Sequence, residues 1–557
     1  MPTGHTGCQS LGSRLRKIIR EFWLLTAILT PSEGTNATAD DVGSRHDLAD
    51  GPFIIGLLTV FLVGCIARFY QLDHTPIWMD EAYSYFVSTQ PLGHIAFNKI
   101  DNHPPLFYVL QHFWNELNSN AELIRFPAAA IGSLTVLVVA LATSDLLNRV
   151  SGLAAGALFA LSTGHVYFSQ EARMYTLLCF GLAIATWGLL GLMDRDRKRL
   201  YAAVYLVGAS ISVYSQAVAL IYLAILNGLA LACCCLMPKQ RANFLRNWLV
   251  ANLLLFVISL PWLVSLYEAT QSFQGLPTDS SLLVQWFFRN IVGFPGLPFP
   301  IKQLADTLLL LAYALGAVLL WNSGRRAFAT LSAGALLIYP AAIALLNLNT
   351  PILANRIFIP NLVPAAMLFG CCVAMLKQPL TRTALLSATL LLAAWSAIEA
   401  KHLQVKTEDT PQALALIDAH GFGKAPILCS NFWTAGTAYF YAPNREILFP
   451  GVDRELIRFN DRMLAAYSLS AAERVHIEDG QMRRMLIDNG LVVDPEKDWT
   501  SVQQVALISA SKDLREKRLL ASLGFTEVDT PPLTSPRQLI FQPLSTNISL
   551  WKRPSKQ

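Results

Sequence analysis

The chain contains long apolar runs separated by short polar breaks, and these runs fill most of the sequence between Gly51 and Ala400. A helix needs about 20 mainly apolar residues to cross the hydrocarbon core of a bilayer. Because no water in that core can satisfy backbone N–H and C=O groups, only helices and closed barrels span it. The pattern predicts a polytopic α-helical membrane protein with about eleven spans. The predicted spans are 52–70, 123–147, 150–168, 174–193, 200–214, 217–237, 247–267, 303–321, 327–348, 357–376 and 383–400.

Composition separates this membrane body from its flanks. Only 15% of all residues are charged, whereas a soluble domain has about 25%, and the deficit ends after Lys401. We therefore divide the chain into an N-terminal segment (1–50), a transmembrane domain (51–400) with a large first outer loop (71–122), and a soluble domain (401–557). The net charge of +5 comes from basic clusters between apolar runs, so it reports topology and does not indicate nucleic acid as a partner.

The last part of the chain alternates between short helical and strand patterns, which indicates a C-terminal α/β domain. We find no catalytic group of residues in it and interpret it as a lid or acceptor-binding module. The predicted helices are 410–420 and 512–523, and the predicted strands are 425–431, 525–528 and 549–552.

Basic residues in the loops predict the orientation of the spans. With the N-terminus in the cytoplasm, the inner loops hold twelve Lys and Arg residues, and the outer loops hold only five. An odd number of spans then places the C-terminal domain outside the bacterial inner (plasma) membrane, in the periplasm of a Gram-negative host. The five outer basic residues are Lys99, Arg173, Arg289, Lys302 and Arg356.

The first fifty residues leave an alternative open. Residues 22–29 form an apolar run behind four basic residues, and Ala37-Thr38-Ala39 resembles a signal-peptide cleavage site. Cleavage there would reverse the first span against the charge bias, so we expect an uncleaved cytoplasmic segment.

The first outer loop opens with two adjacent carboxylates, Asp80 and Glu81, which closely follow Trp78. One interpretation is a solvated pair at the membrane edge, with the tryptophan as an interface anchor. The other is that one carboxylate acts as a general base while its neighbour binds a cation or orients an acceptor. Neighbouring residues point in different directions, so two separate roles are easier to assign than one shared role.

The same loop continues with Asp101 and with His103, which precedes two prolines. Alone, this is a turn followed by a helix start. Carboxylate and imidazole groups also suit a divalent metal ion, so Glu81 and His103 are the candidate metal ligands. The residues alone leave the presence of a metal cofactor open.

Two of the outer arginines stand beside helix starts. Arg173 lies in the short outer turn with Glu171 and Tyr175, and Arg356 precedes the tenth predicted span. A guanidinium group can bind a phosphate through two parallel hydrogen bonds, although either arginine could instead reach lipid headgroups.

Four ordered motifs resemble the bacterial GT-C glycosyltransferases, which are relatives of protein O-mannosyltransferases and lipid A aminoarabinose transferases. The resemblance covers residues 65–180 well and 355–364 more loosely, while the other spans agree in pattern only. The motifs are W-x-D-E-A-x-S from Trp78, D-x-H-P-P-L-x-Y from Asp101, R-F-P-A-A-A-x-G from Arg125 and Y-x-S-Q-E-A-R-M-Y from Tyr167.

This resemblance implies an inverting transfer from a polyprenyl-phosphate-linked sugar donor to an acceptor in the cell envelope, which in the family is a protein, a lipid or a polysaccharide. Asp80 matches the catalytic carboxylate of the family. Glu81 and His103 fall where some members hold a divalent metal, and Arg173 falls in a motif expected near the donor phosphate. We predict Asp80 and Glu81 as catalytic residues. The predicted substrate-binding residues are Tyr83, Asp101, Glu171, Arg173, Tyr175 and Arg356.

Two other functions compete with this prediction. A transporter or flippase of a lipid-linked or small polar substrate usually shows inverted repeats and ionisable residues near the bilayer midplane. We find no repeat, and the notable polar residue within a span, His165, lies near an outer end. A non-catalytic scaffold is the second alternative, and the intact Asp80-Glu81 pair argues against it.

Overall fold

We analysed a computed structural model of the chain. The structure describes residues 39–554 except for 98–102, 118–120, 236–240, 273–286, 288–292, 350–353, 403–408, 451–455, 462–483, 485–486, 489, 494–498, 510–514 and 529–546. Most of the predicted N-terminal segment, and Asp101 in the first outer loop, lie outside the described residues.

The described part of the first 402 residues contains fifteen α-helices and two short 3₁₀ turns, at Ala121–Arg125 and Asn355–Asn361. The helices are α1 (Ala39–Phe69), α2 (Met79–Ser88), α3 (Leu92–Phe97), α4 (Leu106–Leu117), α5 (Phe126–Leu146), α6 (Arg149–Ala160), α7 (Thr163–Ser169), α8 (Tyr175–Asp194), α9 (Lys198–Val213), α10 (Val218–Cys234), α11 (Arg241–Ser272), α12 (Ile301–Asn322), α13 (Arg326–Asn347), α14 (Leu362–Met375) and α15 (Pro379–His402).

Each of the eleven predicted spans coincides with helical structure, but not all of these helices are long enough to cross a bilayer. Among the described residues, eight helices pass by length and composition, and a ninth span results if the bent pair α6 and α7 is counted as one. Helices α9 and α10 contain only 16 and 17 residues. Hydropathy cannot distinguish a continuous span from a broken one, because α6 and α7 together are apolar enough for a span despite the 60° bend between them.

Helices α8 and α14 form the centre of the membrane body and are almost wholly buried, whereas few residues of α1, α11 and α15 are fully buried. Lipid tails are as apolar as leucine, so helix association in a membrane depends on close packing through small residues. Helix α9 packs on α8 in this way. A Cβ atom on Gly188 would lie 2.2 Å from Tyr205 N, and one on Gly208 would lie 2.3 Å from Ala185 N.

The C-terminal residues form a seven-stranded mixed sheet in the order β4-β3-β2-β1-β5-β7-β6. Strand β1 runs parallel to β2 and β5, and the other described pairings are antiparallel. The elements are α16 (Thr410–Ala419), β1 (Ile427–Cys429), α17 (Phe432–Tyr441), β2 (Ile447–Pro450), β3 (Leu456–Arg458), β4 (Val492–Val493), β5 (Gln504–Ser509), α18 (Arg515–Ser522), β6 (Thr526–Val528) and β7 (Asn547–Lys552), with a 3₁₀ turn at Trp499–Ser501.

Helix α17 of this sheet layer packs directly on α2, the helix that carries Asp80 and Glu81. Phe86 of α2 lies against the rings of Tyr439 and Phe459, with centroids 5.9 and 5.8 Å apart. The side chains of Ile77, Ala82 and Ala172 belong to the same buried cluster as the inner face of the sheet. The sheet layer and the end of the membrane body next to α2 therefore share one hydrophobic core.

Candidate active site

Helix α2 begins next to Asp80 and Glu81, and its phase sends the two carboxylates to different places. Successive side chains on a helix are about 100° apart. Glu81 points into the body and is fully buried, whereas the Asp80 side chain keeps 19% of its surface exposed. Ser84, one turn later, donates to the Asp80 carbonyl at 2.9 Å. The paired sequence therefore produces two sites of different character.

Glu81 is locked in a buried ion pair with Arg125. The guanidinium Nε donates to Glu81 Oε1 and Nη2 donates to Oε2, both at 2.7 Å. The backbone N–H of Ala172 also donates to Oε1, at 2.9 Å. Arg125 itself donates to the carbonyls of Leu72, Thr75 and Pro76 at 2.8–2.9 Å. The pair thus ties together α2, the segment that precedes it, and the turn that contains Arg173.

This geometry does not fit the predicted role of Glu81 as a metal ligand, because a guanidinium already occupies both carboxylate oxygens. The same pairing favours a structural role for Glu81, whose predicted catalytic role stays a prediction. His103 lies just before α4 and is partly buried. Within the described ranges, no group of three or more His, Cys, Asp or Glu side chains is placed to hold a metal ion.

Asp80 faces Arg356, which the 3₁₀ turn Asn355–Asn361 presents from the far side of the site. Arg356 Nη1 lies 4.0 Å from Asp80 Oδ2, and the arginine side chain is 39% exposed. Its guanidinium also lies over the ring of Tyr175, 6.0 Å from the centroid, which is within the usual range of a cation–π contact. The turn is fixed from below, since the Tyr339 hydroxyl donates to the Ile357 carbonyl at 2.9 Å.

Arg173 lies beneath α2 and is buried. Its Nη1 donates to Ser84 Oγ at 3.0 Å, to the Asp80 carbonyl at 3.3 Å and to the Tyr108 hydroxyl at 3.4 Å. The guanidinium groups of Arg173 and Arg356 both act electrostatically on Tyr175. Its buried hydroxyl has no hydrogen-bond partner in the described part of the chain.

Four residues predicted from three separate stretches of sequence therefore meet around one point: Asp80, Arg173, Tyr175 and Arg356. Glu171 is buried beside them and forms a hydrogen bond with Tyr167. The ring of Tyr83 packs edge-on against Trp433 of α17, with centroids 5.7 Å apart.

Two residues at the site, Arg125 and Tyr441, had no predicted role. Arg125 stands in one of the sequence motifs, near the end of a predicted span. An arginine in that position indicates a partner that offsets its charge. The Tyr441 hydroxyl at the end of α17 accepts from the Ile77 backbone N–H at 2.6 Å. Burial raises the pKa of Tyr441 to about 12, so this hydroxyl stays protonated at neutral pH. Sequence alone offered no signal for this long-range contact.

Comparisons with known proteins agree with this architecture. The crystal structure of ArnT from Cupriavidus metallidurans in the apo state superposes with a TM-score of 0.56 and 12% identity, over 90% of this chain and 98% of that one. The same protein bound to undecaprenyl phosphate gives a TM-score of 0.54 and 12% identity, over 90% and 97%. Residues 102–264 match the family model described as dolichyl-phosphate-mannose-protein mannosyltransferase. No curated protein sequence matches the chain.

The chain therefore has the fold of the ArnT structures, and its residues 102–264 match a mannosyltransferase family model. The resemblance inferred from the motifs is confirmed, and so is the prediction of a polytopic α-helical membrane protein. The family match includes Arg173 and Tyr175 but neither Asp80 nor Arg356, so the roles of these residues rest on the geometry described above.

Proposed function

We propose that this protein is a GT-C glycosyltransferase, which transfers a sugar from a polyprenyl-phosphate donor to an acceptor of the cell envelope, with inversion at the anomeric carbon and with Asp80 as the general base. The observation that carries the proposal is the contact between Asp80 and Arg356, at 4.0 Å, beside the buried Arg173 and Tyr175. One group suited to accept a proton thus faces one suited to bind phosphate.

The reaction requires a base and a stabilised leaving group. The acceptor hydroxyl oxygen bonds to the anomeric carbon while the bond from that carbon to the phosphate oxygen breaks. The hydroxyl proton passes to the Asp80 carboxylate, and the electron pair leaves with the polyprenyl phosphate. A carboxylate can act as such a base, and attack from the side opposite the leaving group inverts the anomeric configuration.

The charges of the site favour departure of the polyprenyl phosphate. The donor is a phosphodiester with one negative charge, whereas a phosphate monoester carries about −1.5 to −2 at pH 7. Guanidinium groups held near the leaving oxygen stabilise the charge that develops there. Arg356, the more exposed of the two arginines that flank Tyr175, is the leading candidate to bind the phosphate, and Arg173 supports both Tyr175 and α2. Three carboxylates and three guanidinium groups balance before the donor binds: Asp80, Glu81, Glu171, Arg125, Arg173 and Arg356.

Glu81 is assigned a structural role in this proposal, because both of its oxygens are held by Arg125. We derive no step through a metal ion, since its predicted ligand Glu81 is already paired. The donor lipid would stay in the bilayer, which agrees with a site built from outer loops. The ArnT structure that contains undecaprenyl phosphate supports this donor class.

The test is label transfer by the purified protein in lipid nanodiscs. A panel of undecaprenyl-phosphate-linked labelled hexoses and pentoses is incubated with an envelope extract from a strain that lacks the gene. We expect label from one donor to enter an acceptor, and Asp80→Asn to lower the turnover number about 10²–10⁴-fold, the usual contribution of general base catalysis.

Asp73→Asn is the matched control, because Asp73 is an exposed aspartate a few residues before α2 and its substitution should leave turnover unchanged. Normal turnover by the Asp80→Asn protein would overturn the assignment of the base. Movement of an intact donor across the bilayer without transfer would instead favour the flippase alternative.

A further inference from the structure

The break between α6 and α7 lies inside the membrane body and leaves helix-terminal backbone groups to be satisfied. Helix α6 ends at Ala160, and α7 begins at Thr163 after a bend of 60°. The last four carbonyls of a helix lack partners within the helix. Where water is excluded, other groups must bond to them.

Arg68, near the outer end of α1, supplies these partners. Its Nη1 donates to the Ala160 carbonyl at 3.0 Å, and its Nη2 donates to the Phe159 carbonyl at 3.2 Å. Nη1 also donates to the Gly64 carbonyl of its own helix at 3.0 Å. The side chain is fully buried. A cation also suits the negative end of a helix dipole, so Arg68 caps α6 by both charge and hydrogen bonding.

The same guanidinium fixes the first turn of α7. Arg68 Nη2 lies 2.9 Å from His165 Nδ1. A guanidinium can only donate, so Nδ1 is the acceptor, and the imidazole is neutral with its proton on Nε2. The Ser169 hydroxyl donates to the His165 carbonyl at 2.6 Å. A Cβ atom on Gly132 of α5 would lie only 2.3 Å from Ser169 Oγ, so the cluster has no room to shift toward α5.

The far end of α7 is tied to Arg68 through the backbone. Gln170 Nε2 donates to the carbonyls of Arg68 and Tyr70 at 3.0 and 2.9 Å. Lys401, at the end of α15, donates to Gln170 Oε1 at 2.8 Å. Arg173 follows Gln170 by three residues. The segment that leads to the active-site turn is therefore fixed to Arg68 at both ends, through His165 and through Gln170.

We infer that Arg68 is a positioning residue, which closes the helix break and thereby sets the turn 170–173 that presents Arg173 to the active site. Only the measurement of undecaprenyl-phosphate binding rests on the proposed function. Charged residues within membrane proteins often mark ion pathways, but this guanidinium has no solvent-exposed surface and makes four hydrogen bonds to three carbonyls and one imidazole. Arg68 acts through the turn and does not touch the reacting atoms.

The test compares Arg68→Gln and Arg68→Lys with a control, Arg149→Gln, in protein reconstituted into nanodiscs. Arg149 begins α6 at the opposite end of the same helix and is exposed. Hydrogen exchange is followed by mass spectrometry in residues 161–174 and, as an internal reference, in α14. Binding of undecaprenyl phosphate is measured on the same samples.

For Arg68→Gln we expect exchange in 161–174 to become at least about tenfold faster, since a network of charged hydrogen bonds is lost. Exchange in α14 should stay unchanged, and the Kd for undecaprenyl phosphate should rise about tenfold. Arg68→Lys should fall between Arg68→Gln and wild type, because an ammonium group lacks the planar fork. The control should match wild type in both measurements.

Two results would overturn the inference: wild-type exchange in 161–174 of Arg68→Gln, or faster exchange spread equally over α8 and α14. If Arg68→Gln is not recovered in folded form, Arg68→Lys is the deciding variant. Faster exchange confined to 161–174 supports the inference, and wild-type exchange there contradicts it. If wild-type protein does not bind undecaprenyl phosphate, the proposed donor is wrong, and the exchange pattern still tests Arg68 independently.

Discussion

Replacing Glu81 with glutamine separates a structural role of this carboxylate from a chemical one. The substitution keeps the size of the side chain and one carbonyl oxygen, which can still accept from the Ala172 N–H. It removes the negative charge that faces Arg125, whose guanidinium is only 1% exposed. If Glu81 is structural, the main effect of Glu81→Gln should be on stability, and lost activity should follow from a displaced helix α2.

The magnitude follows from the contacts of the pair. Breaking a buried ion pair by removing one partner usually costs about 3–5 kcal/mol, because an uncompensated charge stays buried. Here Arg125 retains hydrogen bonds to the carbonyls of Leu72, Thr75 and Pro76, and these partly stabilise the remaining charge. We therefore expect the lower end of that range, about 3 kcal/mol, for the free energy of unfolding.

The assay is a double-mutant cycle with Arg125→Met, in which reversible unfolding in mixed micelles is followed as the SDS concentration rises. Because the double variant no longer buries a lone charge, its loss of stability should be smaller than the sum of the two single losses, by about 2–3 kcal/mol. Asp80→Asn serves as the contrast, since it should lose activity with nearly normal stability. A Glu81→Gln protein with wild-type stability but greatly reduced turnover would refute the structural assignment and restore Glu81 to the chemistry.

Three further predictions follow from other contacts. Tyr441→Phe removes the acceptor of the Ile77 N–H, and the unsatisfied buried donor should lower stability by about 1–3 kcal/mol, measured by the same unfolding assay; an unchanged value would show that the α17 contact does not support the start of α2. Activity should persist in excess EDTA, because Arg125 occupies the oxygens of Glu81. For the same reason, His103→Ala should not change the bound-metal content measured by mass spectrometry. Loss of activity on chelation that a divalent ion restores would contradict this prediction. A reporter fused after Gln557 should be active only outside the cytoplasm, and a cytoplasmic signal would reverse the predicted orientation.

The convergence of Asp80, Arg173, Tyr175 and Arg356 was predictable from sequence for a topological reason. Residues at the same ends of spans lie near one plane at the membrane surface, so short outer turns are confined to a thin layer. An outer arginine that violates the charge bias was therefore a usable signal. The different environments of Asp80 and Glu81 were less accessible, because only the phase of α2 determines which carboxylate meets the buried Arg125.

The span count shows a different limit of sequence reasoning. The apolar segments were placed correctly, but hydropathy measures composition and not helix continuity. Ser162, Thr163 and Gly164 stand at the break between α6 and α7, and such a short run of small residues within an apolar segment is too common to indicate a 60° bend. The reason that the break is tolerated lies about ninety residues away in Arg68, where no local pattern could reveal it.

The position of Asp80 depends on both layers of the molecule. One face of α2 packs on the membrane body through Ser84 and Arg173, and the opposite face packs on α17 through Phe86. Helix α2 has only ten residues, and isolated helices of that length are marginal in water. Its geometry must therefore come from these two contacts, and a loosely tethered C-terminal lid would leave Asp80 poorly positioned. The hydrophobic core that the sheet shares with Ile77, Ala82 and Ala172 would supply the rigidity that the proposed general base requires.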